Sequence, residues 1–258
     1  MAQKDFENKV ALVTGAGSGI GREAALAFAS RGAIVVAVDL NEGGLTATTD
    51  LIVGHGGQAL TAPADVSSEA QVLELIARIE KDLGRLDVAF NNAGITGQAH
   101  RIEDYPTEDF DRVIAVNLKS VFLGMKHQLP LLRRSGGGVI VNTASVAALT
   151  GPGGMSAYAA SKHGVHRLTR VAAMENAAHP IRVNGLAPGW PEPPMDKEAS
   201  AQNPGFAELA ASAIPAKRGA RPSEIAAAAV WLASEASSYV IGQMLVVDGG
   251  MTIGGFEI

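Results

Sequence analysis

Short apolar runs alternate along the chain with longer stretches in which apolar residues recur every three or four positions. The short runs, residues 10–13, 34–38, 58–62, 87–90, 139–142, 182–186 and 244–247, have strand length, and most are apolar on both faces. The longer stretches, 20–30, 42–54, 69–83, 107–129, 157–178 and 222–233, have helical periodicity, and Pro222-Ser223-Glu224 makes a helix start. Strands buried on both faces, each followed by a helix, predict a parallel sheet covered by helices on both sides. No repeat and no linker divides residues 1–258, so one domain is expected. The pattern breaks at residues 188–206, where five prolines fall within seventeen residues together with Trp190, Met195 and Phe206. Proline spoils both strand and helix, so a loop over a site is expected across about 188–215.

Composition narrows the function classes. Hydrophobic residues are 47% of 258 and charged residues 18%, below the roughly 25% of an average soluble domain, which predicts surface buried in a homo-oligomer. A formal net charge of −5 lacks the basic footprint of a nucleic-acid binder. The absence of Cys excludes disulfides, thiolate nucleophiles and Cys-ligated zinc, and the six His show no metal spacing beside a carboxylate. The first ten residues, MAQKDFENKV, hold no signal-like apolar core, and no apolar run reaches the length of a membrane span. A cytoplasmic protein with no membrane partner is expected.

Directly after the first strand comes Thr14-Gly15-Ala16-Gly17-Ser18-Gly19-Ile20-Gly21, leading into a helix. Glycines there allow a tight turn and let backbone N–H groups approach a pyrophosphate at the helix's positive end. The spacing is G-x-x-x-G-x-G at 15, 19 and 21, not the general G-x-G-x-x-G. Asp39 closes the second strand, where its carboxylate can accept hydrogen bonds from an adenosine ribose. A 2′-phosphate would meet like charge at Asp39, and no Arg or Lys stands at Ser18, Leu40 or Asn41. The expected coenzyme is NAD rather than NADP.

Tyr158 and Lys162 are spaced i, i+4 near the start of a helix, so both heads fall on one face. With the ammonium about 4 Å from the phenol, an effective dielectric of 20 gives about 4 kcal/mol, a ceiling near three pKa units below the usual value of about 10. That predicts a tyrosine able to exchange protons near neutral pH. Ser145, 13 residues upstream and just past a strand, can place its hydroxyl where a carbonyl oxygen would be held.

Taken in order, these motifs resemble the short-chain dehydrogenase/reductase family over nearly the whole chain. They are T-G-x-x-x-G-x-G at 14–21, Asp65-Val66, Asn91-Asn92-Ala93-Gly94, Asn117, Ser145, the Tyr158/Lys162 pair, Pro188-Gly189 and Val247-Asp248-Gly249-Gly250. The resemblance implies a Rossmann-type, doubly wound α/β domain of about seven parallel strands. It also implies hydride transfer between a nicotinamide and a secondary alcohol or ketone, with Tyr158 as general acid/base and Ser145 polarising the substrate oxygen. Lys162 would lower the Tyr158 pKa and hold the nicotinamide ribose, and Asn117 would position a water relaying protons toward Lys162. The implied coenzyme-binding set is Gly15, Ser18, Gly19, Ile20, Gly21, Asp39, Leu40, Asp65, Val66, Asn92, Ala93, Gly94, Tyr158, Lys162, Pro188, Gly189 and Pro191. Within it, Asp65 and Val66 would meet the adenine, and Asn92, Ala93 and Gly94 the adenosine ribose.

The chain departs from the family after Pro188-Gly189. A branched aliphatic residue and a Thr that anchor the nicotinamide carboxamide are replaced by Pro191 and Pro193, which lack the N–H and the hydroxyl. Weaker NAD retention and a stiffened loop are expected. Thr96, Gln98, Val146, Ala147, Met155, Trp190, Met195 and Phe206 are expected to line the substrate cavity; they are mostly apolar, with no Arg or Lys to grip a carboxylate or phosphate, so a neutral, fairly hydrophobic alcohol or ketone is expected. A 3-oxoacyl-thioester reductase of fatty-acid synthesis and a catalytically silent nucleotide-binding sensor or scaffold are the competing readings. Ser161 completes a Y-x-x-S-K form and receives no chemistry. The family precedent is a homotetramer, with the helices at 107–129 and 157–178 pairing across one two-fold axis and the apolar C-terminal segment across another.

Overall fold

A computed structural model describes residues 4–192 and 205–253. Seven strands, β1 (Val10–Thr14), β2 (Ile34–Asp39), β3 (Gln58–Pro63), β4 (Val88–Asn91), β5 (Gly138–Thr143), β6 (Ile181–Pro188) and β7 (Met244–Val247), form one parallel sheet in the order β3-β2-β1-β4-β5-β6-β7. Each expected strand is present, most of them one or two residues longer or shifted by one. In register, Leu12 of β1 sits between Val36 of β2 and Ala89 of β4. The helices are α1 (Gly19–Ser30), α2 (Glu42–Gly54), α3 (Glu69–Leu83), α4 (Thr107–Ile114), α5 (Ser120–Arg134), α6 (Ser156–Asn176), α7 (Phe206–Ala213) and α8 (Pro222–Ala233).

Strand side chains alternate between two cores. Ala11 and Val13 pack with Phe28 of α1, Leu45 of α2 and Ile225 of α8 on one face, while Val10 and Leu12 pack with Ile76 of α3, Leu131 of α5 and Val165 of α6 on the other. Both faces being apolar explains why the strand runs lack hydrophobic–polar alternation. The winding reverses between β1 and β4, which leaves a crevice beyond their carboxyl ends.

Three expectations change. The helix expected over 107–129 is two helices joined by a π-helical turn, Ala115–Lys119, a widening that periodicity of apolar residues does not reveal. α5 also runs past Pro130 to Arg134, because Leu131 and Leu132 are fully buried, each burial worth about 1.5–3 kcal/mol against a proline cost of ~3 kcal/mol. The loop expected over 188–215 contains α7, which starts after Gly205 (φ +90°) and reads FAELAASA, rich in strong helix formers. Among the described residues no helix is long and apolar enough to cross a membrane.

Candidate active site

The crevice is a cleft of about 580 Å³ at the carboxyl ends of the strands. At β1, Thr14 Oγ1 accepts hydrogen bonds from Asn92 N (2.9 Å) and Ala93 N (3.0 Å), tying the end of the strand to the segment after β4. Gly15 has φ +68°, and a Cβ there would come within 3.0 Å of Asn92 Nδ2. A Cβ on Gly21 would fall 2.0 Å from the Gly15 carbonyl oxygen. Gly21 is therefore required by packing of α1 on the turn, and it does not form part of the cleft wall, unlike Gly15, Ser18, Gly19 and Ile20. Ser18 leaves the first turn of α1 without a side-chain cap, so these N–H groups remain available to an anion in the cleft.

Asp39 and Leu40 line the same end. The Asp39 carboxylate is oriented by Gly17 N (2.9 Å, to Oδ2) and Asn41 N (2.9 Å, to Oδ1). Sequence reasoning missed Arg22, which lines this end although Ser18, Leu40 and Asn41 carry no charge. Its guanidinium donates to the Gly17 carbonyl and, through Nε, to Thr48 Oγ1 (3.0 Å). The only signal was its place one residue after the last glycine. Asp65 and Val66 also line the cleft, with Asp65 Oδ1 accepting from Ser67 N (2.9 Å) and Ser67 Oγ (2.7 Å). Asn92, Ala93 and Gly94 follow along the wall. An uncapped helix start, a glycine cradle too tight for side chains and a carboxylate beside them fit a dinucleotide with its phosphates on α1.

At the other end the cleft meets Ser145, Tyr158 and Lys162, with Pro188, Gly189 and Pro191 as the opposite rim. Ser145 follows β5, and its Oγ accepts from Ala147 N (3.1 Å), holding a short turn over Val146–Ala148. Tyr158 stands in the first turn of α6, buried; loss of solvent pushes its phenol above the usual value of 10, and a hydrogen bond from Ser145 opposes the rise. Lys162 is likewise buried, and desolvation alone pulls its ammonium down to about 8. Its Nζ donates to the Thr143 carbonyl (2.9 Å) and lies over the Tyr158 ring, 5.6 Å from the centroid. The direction is opposite to the lowering expected from charge alone, because both groups are dehydrated and the ammonium donates to a carbonyl.

Asn117, fully buried, occupies the π-helical turn and does not line the cleft. Its Oδ1 accepts from Ile95 N (2.8 Å), and its Nδ2 donates to the Ile95 carbonyl (2.8 Å) and to Ser161 Oγ (3.1 Å). A Cβ on Gly94 would lie 3.2 Å from Asn117 Oδ1 and 3.4 Å from Lys162 Nζ, so the amide and the ammonium converge beside Gly94.

A family profile described as enoyl-(acyl carrier protein) reductase matches residues 15–252. The chain is 40% identical over 254 residues to levodione reductase of Leifsonia aquatica, covering 96% of this chain and 95% of that protein. The crystal structure of levodione reductase superposes with a TM-score of 0.93 at 38% identity, over 97% of this chain and 100% of that one. The chain belongs to the short-chain dehydrogenase/reductase family. Cyclohexanol dehydrogenase of an Acinetobacter strain (40% identical, 96% of each chain) and the 3-oxoacyl-(acyl-carrier-protein) reductase FabG of Thermotoga maritima (40%, 96% of this chain and 99% of that protein) are further relatives. Members of this family typically use a nicotinamide coenzyme.

The residues expected around the substrate are distributed differently from that expectation. Thr96, Gln98, Val146, Ala147, Met155 and Trp190 do not line the cleft among the described residues. Val146 and Ala147 are buried, and Ala147 packs in one cluster with Tyr158, against which Met155 also lies; Gln98 N is spent on Asp109 Oδ2 (2.8 Å), and the Trp190 carbonyl accepts from Ala220 N (2.8 Å). Ile95 and Val116 line the cleft, and Ile95 packs against the cluster that holds Tyr158. Met195 and Pro193 lie outside the described residues; Phe206 opens α7. Pro191 bridges Ala220 in a parallel pair whose hydrogen bonds are made by the Trp190 carbonyl and Glu192 N (2.8 Å to Ala220 O), so its missing N–H costs this pairing nothing. Among the described residues no group of His, Asp and Glu could hold a metal.

Proposed function

We propose that this protein is an NAD-dependent oxidoreductase interconverting a neutral secondary alcohol and its ketone, with small cyclic alcohols as the leading substrate class. The observation that carries the reading is the buried pair of Ser145 and Tyr158, with Lys162 one helical turn on, at one end of a cleft whose other end is the glycine turn and Asp39. When bound, the coenzyme supplies the hydride acceptor or donor. In oxidation, Tyr158 Oη takes the hydroxyl proton of the alcohol, and in reduction it returns a proton to the oxygen of the ketone. Ser145 Oγ is held by Ala147 N, and on substrate binding its hydrogen turns from the Tyr158 phenol to the substrate oxygen and stabilises charge there. Lys162 holds the nicotinamide ribose, and Asn117 positions a water that relays protons toward Lys162.

Asp39 supports NAD over NADP, since a 2′-phosphate would face an oriented carboxylate and the nearby Arg22 is already engaged by the Gly17 carbonyl. The likeness to cyclohexanol dehydrogenase supports a cyclic alcohol, as do the apolar walls of Ile95 and Val116. The relative FabG favours 3-oxoacyl-thioester reduction as a second reading. For assembly we propose a homotetramer. The deciding assay offers cyclohexanol, cyclohexanone and an acetoacetyl thioester with NAD(H) and NADP(H). Turnover of the cyclic pair with NAD(H), reduced 10²–10⁴-fold by Tyr158→Phe, is the expected result. Thioester reduction with NADPH alone would select the second reading, and activity unaffected by Tyr158→Phe would overturn both.

A further inference from the structure

Ser161 stands between the two proton-handling residues of α6, with Lys162 its neighbour and Tyr158 one turn back. It is fully buried, and its Oγ donates to the Tyr158 carbonyl at 2.7 Å. A serine inside a helix commonly makes such a bond to its own preceding turn and does nothing more. Here the donated hydrogen fixes where the lone pairs of Oγ point, and one of them accepts Asn117 Nδ2 from a segment 44 residues away in the chain, at 3.1 Å. The carboxamide of Asn117 is thereby committed: one N–H to Ser161, the other to the Ile95 carbonyl, and Oδ1 to Ile95 N. While accepting from Ile95 N, Oδ1 lies beside Gly94, where an added Cβ would be 3.2 Å from it and 3.4 Å from Lys162 Nζ. Among the described residues, Ser161 makes the side-chain hydrogen bond that ties the π-helical turn to α6.

We propose that Ser161 is a positioning residue for the reaction, orienting the Asn117 carboxamide beside Lys162 through a hydroxyl that the Tyr158 carbonyl holds in place. The proposal rests on the oxidoreductase reading for its kinetic consequence, while the orientation itself is measurable without turnover. If Ser161 served only its own helix, Ala at this position would be neutral or stabilising, since Ala is the better helix former. If it orients Asn117, Ala leaves a buried N–H without a partner.

The test compares Ser161→Ala, Asn117→Ala and the double variant. Ser161→Ala is expected to lower kcat about tenfold with the KM for NAD within twofold, and to change kcat less than twofold when added to Asn117→Ala. A loss below twofold in the single variant, or a full tenfold loss retained in the Asn117→Ala background, would overturn the proposal. A second readout uses the ¹⁵N side-chain amide signal of Asn117, identified by its absence from Asn117→Ala. Its hydrogen-exchange protection is expected to fall at least tenfold in Ser161→Ala, and unchanged protection would overturn the proposal whatever the kinetics. If the unsubstituted protein turns over no alcohol or ketone with either coenzyme, the functional reading fails and the amide signal still decides the role of Ser161. Should Ser161→Ala not fold, Ser161→Cys, close in volume and a weak hydrogen-bond partner, is measured in the same way with the same two criteria.

Discussion

Tyr158 and Lys162 are the clearest case of a chemistry that spacing announces and burial then retunes. Desolvation holds the phenol above 10 with only Ser145 opposing, and it draws the ammonium down to about 8. A phenol that keeps its proton through neutral pH is matched to reduction; removing a proton from an alcohol needs the phenolate. Reduction is therefore expected to be flat from pH 6 to 8 and to fall as the phenol titrates, while oxidation accelerates steadily from pH 7 to 10. Steady-state rates in both directions check this, and an oxidation rate already on its plateau by pH 7 would contradict it. The residue types and their i, i+4 spacing were readable from the chain because a helix repeats every 3.6 residues. The direction of the phenol's shift was not, because solvent exclusion depends on residues such as Val113 and Ala147 that only the fold brings around the ring.

Among the elements, β4 shows how one carboxylate anchors a strand at the end opposite the cleft. Asp87, at the entry to β4, accepts from Val10 N (2.9 Å) and from Arg85 Nε (2.8 Å), and its Oδ1 pairs with Lys9 (3.3 Å). Burial alone would raise its pKa, but the Arg85 hydrogen bond, the Val10 N–H and the two cations outweigh it and hold it below the usual 3.8. A folded-state pKa below the unfolded one contributes stability that is complete above the unfolded value and is lost as pH falls through the folded one. Asp87→Asn is expected to cost about 1–2 kcal/mol at pH 7, with the gap to the unsubstituted protein closing below pH 3. Urea melts at the two pH values check this, and an equal gap at both would refute the ionic account. Element boundaries followed the sequence closely wherever apolar periodicity or a cap set them, as for α2 and α3. They departed where tertiary burial overrode a local breaker, at Pro130, or where a five-residue turn widened a helix without disturbing its apolar face.

For the whole molecule, the apolar residues left outside both cores speak to assembly. Phe122 of α5 is 48% exposed, Val171 and Met174 of α6 are 52% and 83% exposed, and Tyr239, ahead of the edge strand β7, is 99% exposed. These lie on the helices and on the C-terminal edge that the sequence proposed as contact surfaces, and covering them is favourable at about 25 cal/mol per Å². Light scattering at micromolar concentration is expected to give about four times the 26.5 kDa chain mass, and a monomer would remove the tetramer from the proposal.

The sequence by itself determined the βα order, the glycine turn, the carboxylate at the end of β2 and the Ser145–Tyr158–Lys162 set. Each of these is a matter of periodicity, steric room at a turn, or spacing of at most 13 residues along the chain. Only the tertiary structure decided that Ser161 meets Asn117, that Arg22 braces the glycine turn, that Gly21 serves packing, and that Ile95 and Val116 line the cleft. Those facts depend on which surfaces exclude water and which distant donors and acceptors meet once the sheet closes, and no local pattern along a chain encodes such pairings.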